Sequence, residues 1–452
     1  MIEVTDNEIL PLSLVHNFWT WSAQAYVDPI AVKKAKGVYF WDVEGKRYLD
    51  FNSMVMCVNI GHGDDRIAEA IARQARELSF ASPRMATRPR AILGKMMEDI
   101  TPPGLSKFLY TLGGSEANEN AIKLARAYTG KDVILTRFRS YHGATHGSIS
   151  LTGDPRRHAC DHALMPGVVH FLDPYRYRST FHRMNPDISD EDFCLDYLNH
   201  LEEIIMYEGH NRVAAILLET VTGTNGVIIP PDGYLEGVRE ICDKNNILMI
   251  CDEVMAGFGR TGKWFAVNHW NVIPDIITMA KGLTSGYAPL GAVAMKKEIA
   301  AAFDEKVFSG GMTYNGHPVL LAAAIANIEI IKSDNLLENS TKVGLILAKY
   351  LQEMKKRHPS VGDVRSIGLF GVIELVRDRK TKEPMAPFNG KSPEMKALLR
   401  YCLDHGLFIY THWHKILIIP PLIITEEQLK VGFDILDRAL EITDASAKSF
   451  PG

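Results

Sequence analysis

The residues DIITMAKGLTSGYAPLG, Asp275–Gly291, decide how this chain is read. Ile276, Ile277, Thr278, Met279 and Ala280 make an apolar, β-branched run, the pattern of a strand buried on both faces. The run ends in one cation, Lys281, and a loop rich in glycine, serine and proline follows. Lysine is seldom buried unless it is paired or functional. Desolvation disfavours its charged form and leaves the amine available as a nucleophile. A buried strand that delivers one lysine to its carboxyl end is a candidate reaction centre. Its weight depends on what neighbouring strands deliver to the same place.

Outward from this stretch the chain alternates strands and helices. Phe108, Leu109 and Tyr110 read as a short strand, followed by GGSEANENAIKLARAY. A strand, a glycine turn and a helix start together make an anion site, because free N–H groups and the helix dipole both favour a phosphate. The motif is neither GxGxxG nor a Walker loop, and Gly-Gly-Ser also makes a plain turn with Ser115 as N-cap. Val133–Thr136 is the next strand, and the loop FRSYHGATHG offers Tyr141 and His142. VAAILLET (213–220) ends at Glu219, NILMICDEV (246–254) at Asp252 and Glu253, and GAVAM (291–295) is a further strand. This order predicts an α/β fold with a mostly parallel sheet. Such sheets bind ligands at the carboxyl ends of their strands, where Gly114, Ser115, Tyr141, Glu219, Asp252 and Lys281 all fall.

The remaining chain frames this region. HNFWTWSAQ brings Trp19 and Trp21 close together, as core packing or as an aromatic wall for a ligand. Residues 38–50 read as a β-hairpin around Glu44-Gly45. Residues 66–78 place Ile67, Ile71, Ala75 and Leu78 on one helical stripe. Residues 153–195, rich in Arg, His and Pro, read as irregular surface excursions. His158 and His162 stand four apart with no third ligand at sensible spacing, so no metal is expected. After about residue 330 the pattern changes. A helix over about 335–357 precedes two strand pieces with a glycine bend (VRSIGLFGVIELV). Ser392-Pro393 start a helix that Gly406 ends, and Thr425 with Gln428 forms a capping box for the last helix. The expected organisation is an N-terminal segment, 1–65, joining the small domain; a large domain, 66–330; and a smaller α+β domain, 331–452.

Composition bounds the function. The 452 residues are 46% hydrophobic and 23% charged, with a net charge of −4. That balance argues against a nucleic-acid or membrane partner. No apolar stretch has membrane-spanning length. The acidic start MIEVTDNEILPLS has no basic segment of the secretory kind, and the six cysteines are scattered. Both fit reduced thiols in a cytoplasmic protein.

One cofactor accounts for the strand-end residues together. A lysine amine bonds an aldehyde covalently, a helix start holds a phosphate, and an aspartate keeps a pyridine nitrogen protonated so that the ring is an electron sink. An aromatic side chain stacks on the ring. That cofactor is pyridoxal 5′-phosphate (PLP).

Across nearly its whole length the chain resembles class III, fold-type I PLP-dependent aminotransferases. The matching motifs are GGSEANENA, YHG, ETVTGTNGVIIPPDGYL, DEVMAGFGRTGKW, the Asp275–Gly291 stretch and GMTYNGHP (311–318), with Asp252 and Lys281 separated by 281 − 252 = 29 positions. The resemblance implies a seven-stranded-type, mostly parallel sheet in the large domain. It makes Lys281 the Schiff-base lysine and the acid/base, and Asp252 the partner of the pyridinium nitrogen. It places Val254 and Tyr141 on opposite ring faces, Gly114 and Ser115 at the phosphate, and His142 and Glu219 beside the cofactor. Thr313 would come from the partner subunit of a homodimer with a shared active site.

Departures from the family pattern bear on the substrate. Met255 follows DEV where many members have glutamine, and Thr220 replaces the usual proline. The stretch YTHWHKILIIPPL lacks the arginine that binds a substrate carboxylate, leaving His412, His414 and Lys415 as cations. In WSAQ, DPYRYR and TGTNGVIIPPDGYL the chain is similar to taurine and related ω-amino acid aminotransferases. The implied reaction moves a terminal amine to 2-oxoglutarate or pyruvate in two half-reactions through the pyridoxamine form of the cofactor. Trp19, Trp21, His412 and Lys415 are the candidate substrate residues. β-Alanine, 4-aminobutyrate and diamines are rival donors, and an aminomutase or amino acid racemase uses the same scaffold. Lys281→Ala is expected to abolish turnover and the visible absorbance of the lysine-bound cofactor; a mutant that kept both would show that another residue does this work.

Overall fold

The computed structural model describes residues 3–159, 163–183, 185 and 187–448. His162 lies outside them. The centre is a seven-stranded sheet in the order Leu105–Thr111, Gly291–Lys296, Ile276–Met279, Leu248–Asp252, Val213–Glu219, Val133–Arg137, Val168–Phe171. The last five run parallel. Gly291–Lys296 runs antiparallel to both of its neighbours. Ile276–Met279, Val213–Glu219 and Val133–Arg137 are buried at every position, which their apolar composition makes possible with helices on both faces. Glu219 is the register partner of Asp252, and Asp252 of Thr278, so three polar side chains stand abreast at the carboxyl edge. The helix Gly114–Thr129 lies on this sheet through Ile122 and through Ala117, Ala121 and Ala125, small residues that allow close approach.

A second, antiparallel sheet joins Val361–Ile367, Phe370–Asp378, Lys415–Ile418 and Tyr410–His412, with Glu383–Pro384 at its side. The glycine bend between its first two strands is present, with Gly368 at φ +56. A third sheet pairs the N-terminal hairpin, Tyr39–Asp42 with Arg47–Asp50, and adds Leu407–Phe408 in parallel. This last pairing stitches the first fifty residues to the C-terminal part. The final helix, Glu426–Asp444, carries the capping box expected for it, with Gln428 N–H on Thr425 Oγ1 and Thr425 N–H on Gln428 Oε1.

Three expectations need correction, and one helix is additional. Residues 153–195 are not merely surface: they supply the edge strand Val168–Phe171 and bury Asp154, Asp173 and Tyr175. The charged composition of that stretch hides this, because two of its arginines, Arg156 and Arg178, are taken up by the buried acids Asp154 and Glu374. The helix Asp65–Glu77 buries Ile67, but Ala75 and Leu78 are exposed, so its apolar stripe is covered at one end. The strand predicted over 246–254 spans Leu248–Asp252, since Glu253 turns away to accept backbone bonds from Ala266 and Val267. A helix, Asp6–His16, precedes HNFWTWSAQ although it contains Pro11, and no residue of it is buried.

The helix Leu336–Arg357 meets the glycine bend at Gly344, where an added Cβ would stand 2.6 Å from the carbonyl carbon and oxygen of Gly368. That backbone cannot retreat freely, because Leu369 N–H is bonded to Arg260 O at 3.0 Å. Gly344→Ala is therefore expected to lower stability by about 1–3 kcal/mol as overpacking does, read as a lower thermal midpoint; an unchanged midpoint would mean that the bend is not pinned.

Candidate active site

The carboxyl edge of the large sheet opens into a cavity of about 510 Å³. Its lining includes Gly114, Ser115, Tyr141, His142, Glu219, Asp252, Val254 and Lys281, and also Trp21. Trp19, Thr313, His412 and Lys415 do not line it.

Each polar side chain is held from behind. Asp252 accepts Asn118 Nδ2 at 2.9 Å and faces His142 Nδ1 at 2.7 Å through Oδ2, while Oδ1 accepts Val254 N–H at 3.0 Å. Asn118 is fixed in turn by the Thr278 hydroxyl, 2.7 Å from its Oδ1, and donates to His142 O at 2.7 Å. Glu219 accepts Tyr141 N–H and Gly223 N–H at 3.0 and 2.7 Å. Burial pushes the Glu219 carboxyl above its ordinary pKa, with Asp252 adding repulsion, against the opposing pull of His142 and the two N–H donors. Lys281 stands on a left-handed backbone, φ +46, directly after the strand, and opens the short 3-10 turn Lys281–Leu283. A non-glycine residue there carries strain, which the buried strand on one side and the turn on the other sustain.

The helix start behaves as an open anion cradle. Its cap residue is Gly113, and no side chain caps the first turn. Gly114 and Gly143 leave the space that the cradle needs. A Cβ on Gly114 would sit 2.9 Å from Val254 Cγ1, and one on Gly143, φ +138, would collide with Ser115. The Ser115 hydroxyl accepts Ala144 N–H at 3.1 Å, tying the helix start to the loop that carries Tyr141 and His142.

The family departures have local explanations. Thr220 donates to Glu253 Oε1 at 2.7 Å, and this buried acid is pushed up to about 7 by desolvation. Met255 lines the cavity and packs where a side chain on Gly223 would stand.

The aromatic pair divides. Trp21 lines the cavity together with Tyr141, whereas the Trp19 backbone is clamped by Gln24. Thr313 is exposed. The C-terminal cations do not turn to the cavity. Lys415 is 4% exposed and lies against Gly226 and near Glu374, with burial pulling its amine down to about 8. His412 stacks on Trp413 at 4.2 Å, and burial, with Arg156 and Lys415 nearby, pulls it down to about 3. His414 meets Glu374 at 3.2 Å. An antiparallel strand alternates its faces, and here the alternate face belongs to a buried ionic cluster.

Two groups escaped the sequence reading. Asn118 was inside a quoted motif, and a polar residue on the buried face of an otherwise Ala-rich helix was the available signal. Arg156 had none. Its guanidinium carbon sits 4.0 Å over the Tyr141 ring, beside the cavity. Asp154 grips its Nε at 3.0 Å and its Nη2, Thr224 takes Nη2 at 3.2 Å, and Asn225 holds Asp154 at 3.1 Å. Arg156 Nη1 makes no hydrogen bond among the described residues. Val55 and Cys57 also form part of the wall.

With this geometry in view, comparison with known proteins is direct. The family model for class III aminotransferases matches residues 21–440. The chain is 40% identical over 377 residues to the taurine–pyruvate aminotransferase of Bilophila wadsworthia, covering 79% of this chain and 80% of that one. It is 36% identical over 427 residues to the putrescine–pyruvate aminotransferase of Pseudomonas aeruginosa, covering 92% and 91%. Among solved structures, the taurine:2-oxoglutarate aminotransferase from Bifidobacterium kashiwanohense, in complex with PLP and glutamate, superposes with a TM-score of 0.94 at 41% identity, covering 98% of this chain and 99% of that one.

Asn118→Ala would leave the Thr278 hydroxyl without its acceptor and Asp252 short of one donor, all of them buried. The expected cost is about 1–3 kcal/mol for unsatisfied buried groups, visible as a lower thermal midpoint. A wild-type midpoint would mean that the Asp252 carboxylate is positioned without this chain of bonds.

Proposed function

Because the chain belongs to the class III aminotransferases, we propose that it moves the terminal amine of a small ω-amino acid, with taurine as the donor, to a keto acid such as 2-oxoglutarate or pyruvate. Enzymes of this family use PLP, and the residues present fit it: an uncapped helix start for the phosphate, an acid pinned by Asn118 and His142, and a lysine in the wall of the same cavity. When bound, PLP supplies an aldehyde that takes up the amino group and a ring that stores an electron pair.

The roles of this chain's own residues follow from their positions. Lys281 would hold the cofactor and then take and return the proton at the donor's reacting carbon, being the one lysine in the cavity wall. Asp252 would hold the ring nitrogen's proton, with Asn118 and Val254 N–H keeping its two oxygens apart in orientation. Tyr141 and Val254 would bound the two ring faces. Gly114, Ser115 and the first-turn N–H groups would hold the phosphate, with Thr313 of a second copy completing that end. A homodimer is supported by the apolar side chains that the N-terminal segment leaves exposed, Val15 at 75% and Phe18 at 84% among them. The five described cysteines are unpaired, which supports a reducing cytoplasmic setting.

One observation carries the choice of donor: the unused Nη1 of Arg156, whose guanidinium is locked on the Tyr141 ring by Asp154. It offers a fixed cation where the C-terminal arginine is missing. A sulfonate remains ionised at all working pH values and presents three acceptor oxygens to such a donor. The apolar wall from Met255, Val55 and Leu290 leaves room for a short chain. A diamine is the second reading, favoured by the likeness to the putrescine–pyruvate enzyme, but it brings no anion to Arg156.

The test is a half-reaction. The PLP-loaded enzyme is mixed separately with taurine, β-alanine, 4-aminobutyrate and putrescine, without keto acid, and the visible absorbance of the cofactor is followed. Loss of that absorbance with taurine is expected, as is a need for a keto acid to restore it. Conversion with putrescine and not taurine would replace the donor, and turnover of a single substrate without keto acid would favour an isomerase. Arg156→Ala should raise KM for taurine by roughly 10–100-fold, the range of a charge-assisted hydrogen bond, and leave putrescine unaffected. Equal kinetics with taurine would remove Arg156 from the argument.

A further inference from the structure

A second recess, of about 550 Å³, lies apart from the Lys281 cavity, between the Arg176–Arg178 turn and the bend that carries Lys380 to Lys382. Its wall holds Arg139, Arg176, Arg178, Arg183, Lys380 and Lys382, and no acidic side chain among the described residues. Neutralisation of these cations is uneven. Arg139 and Arg178 pair with Asp173 and Glu374, two fully buried acids behind the wall. Arg176 pairs with Asp190, which is 86% exposed and therefore weakly held. Lys382 bonds the carbonyl of Tyr177 at 2.8 Å, which satisfies a donor but cancels no charge. Arg183 and Lys380 have no carboxylate partner among the described residues. Arg178 Nη2 is buried without an acceptor.

Such an arrangement costs self-repulsion, and a concave wall of one sign concentrates counter-ions. Two rings hold the cations in place: Arg176 lies 5.0 Å from the Phe193 centroid and Lys382 lies 4.8 Å from that of Tyr177. The recess is of a size that encloses small molecules, about 300–1,000 Å³. Guanidinium groups fork onto phosphate oxygens, and lysines add point charge beside them. We propose that this recess binds a phosphorylated small molecule carrying at least two negative charges, at a site separate from the one that holds PLP. None of the residues that line this recess lines the Lys281 cavity.

The experiment is calorimetric titration of the PLP-saturated enzyme with inorganic pyrophosphate and with ATP, at low and physiological salt. Binding that weakens with salt is expected. Arg183→Glu with Lys380→Glu should raise Kd at least about tenfold for either probe, since two point charges are reversed at the wall. Lys342→Glu with Lys349→Glu, on the exposed face of the helix Leu336–Arg357, makes the same change in net charge elsewhere and should leave Kd within about twofold. Turnover should be the same in all three proteins, because none of these side chains touches the Lys281 cavity. Absence of heat up to about 5 mM of either probe, an affinity corresponding to no more than about 3 kcal/mol, would overturn the proposal. So would equal weakening in both double variants, which would reduce the effect to overall charge.

Discussion

Arg260 is completely buried and has no carboxylate bonded to it among the described residues. Its guanidinium donates instead to neutral oxygens: Leu369 O at 3.0 Å, Pro420 O at 2.5 Å, Asn59 Oδ1 at 2.9 Å and Ser53 Oγ at 3.3 Å. Its own carbonyl accepts from Leu369 N–H and from the Ser340 hydroxyl. Three distant pieces of chain are thereby joined: the turn after the N-terminal hairpin, the loop between the central strands, and the C-terminal sheet. Burial of the charge costs several kcal/mol and pulls this arginine down to about 9, and the four acceptors offset that cost. Removing any one of them would leave a buried cation short of a partner.

The turn that Arg260 holds is strained. Ser53, Met54, Val55 and Met56 are consecutive non-glycine residues with φ of 46, 44, 63 and 61°. Each costs roughly 1–2 kcal/mol in that region, so the segment stays only while its surroundings dictate it. Ser53 does so through Arg260 and through Ile419 O at 2.6 Å. The outcome bears on the site, since Val55 and Cys57 then form part of the cavity wall. Strain in the first part of the chain shapes a site whose chemistry comes from the middle of it.

Two polar hubs differ in design: one around Asp252 in the wall of the Lys281 cavity, the other around Glu374, whose partner Arg178 lines the second recess. Around Asp252 every partner is neutral or a histidine, and the bonds fix orientation. Around Glu374, Arg178, Arg365, His414 and Tyr175 crowd onto one carboxylate, and the His414 hydrogen bond together with the charges of Arg365, Lys415 and Arg178 holds it well below the ordinary range despite its burial. Arg365 also donates to Gly226 O at 2.7 Å, and the adjacent Asn225 steadies Asp154, which grips Arg156. The second hub therefore joins the C-terminal sheet to the loop after Val213–Glu219, and through Asn225 and Asp154 to the short turn Pro155–His158 that presents Arg156.

The sequence alone determined the parallel centre of the sheet, the helix start at Gly114-Ser115 and the meeting of Tyr141, Glu219, Asp252 and Lys281. Fully apolar strands, glycine turns and caps are local signals, and strand ends in one sheet must share an edge. The tertiary structure alone decided that Lys415 and His412 face a buried cluster, that Arg156 lies on Tyr141, that Asn118 steers Asp252 and that residues 153–195 carry a strand. Several of these depend on where a side chain finds a partner far along the chain, such as Thr278 for Asn118, 160 positions away. Hydrophobic periodicity says which face is buried; it carries no information on which distant charge will be waiting there.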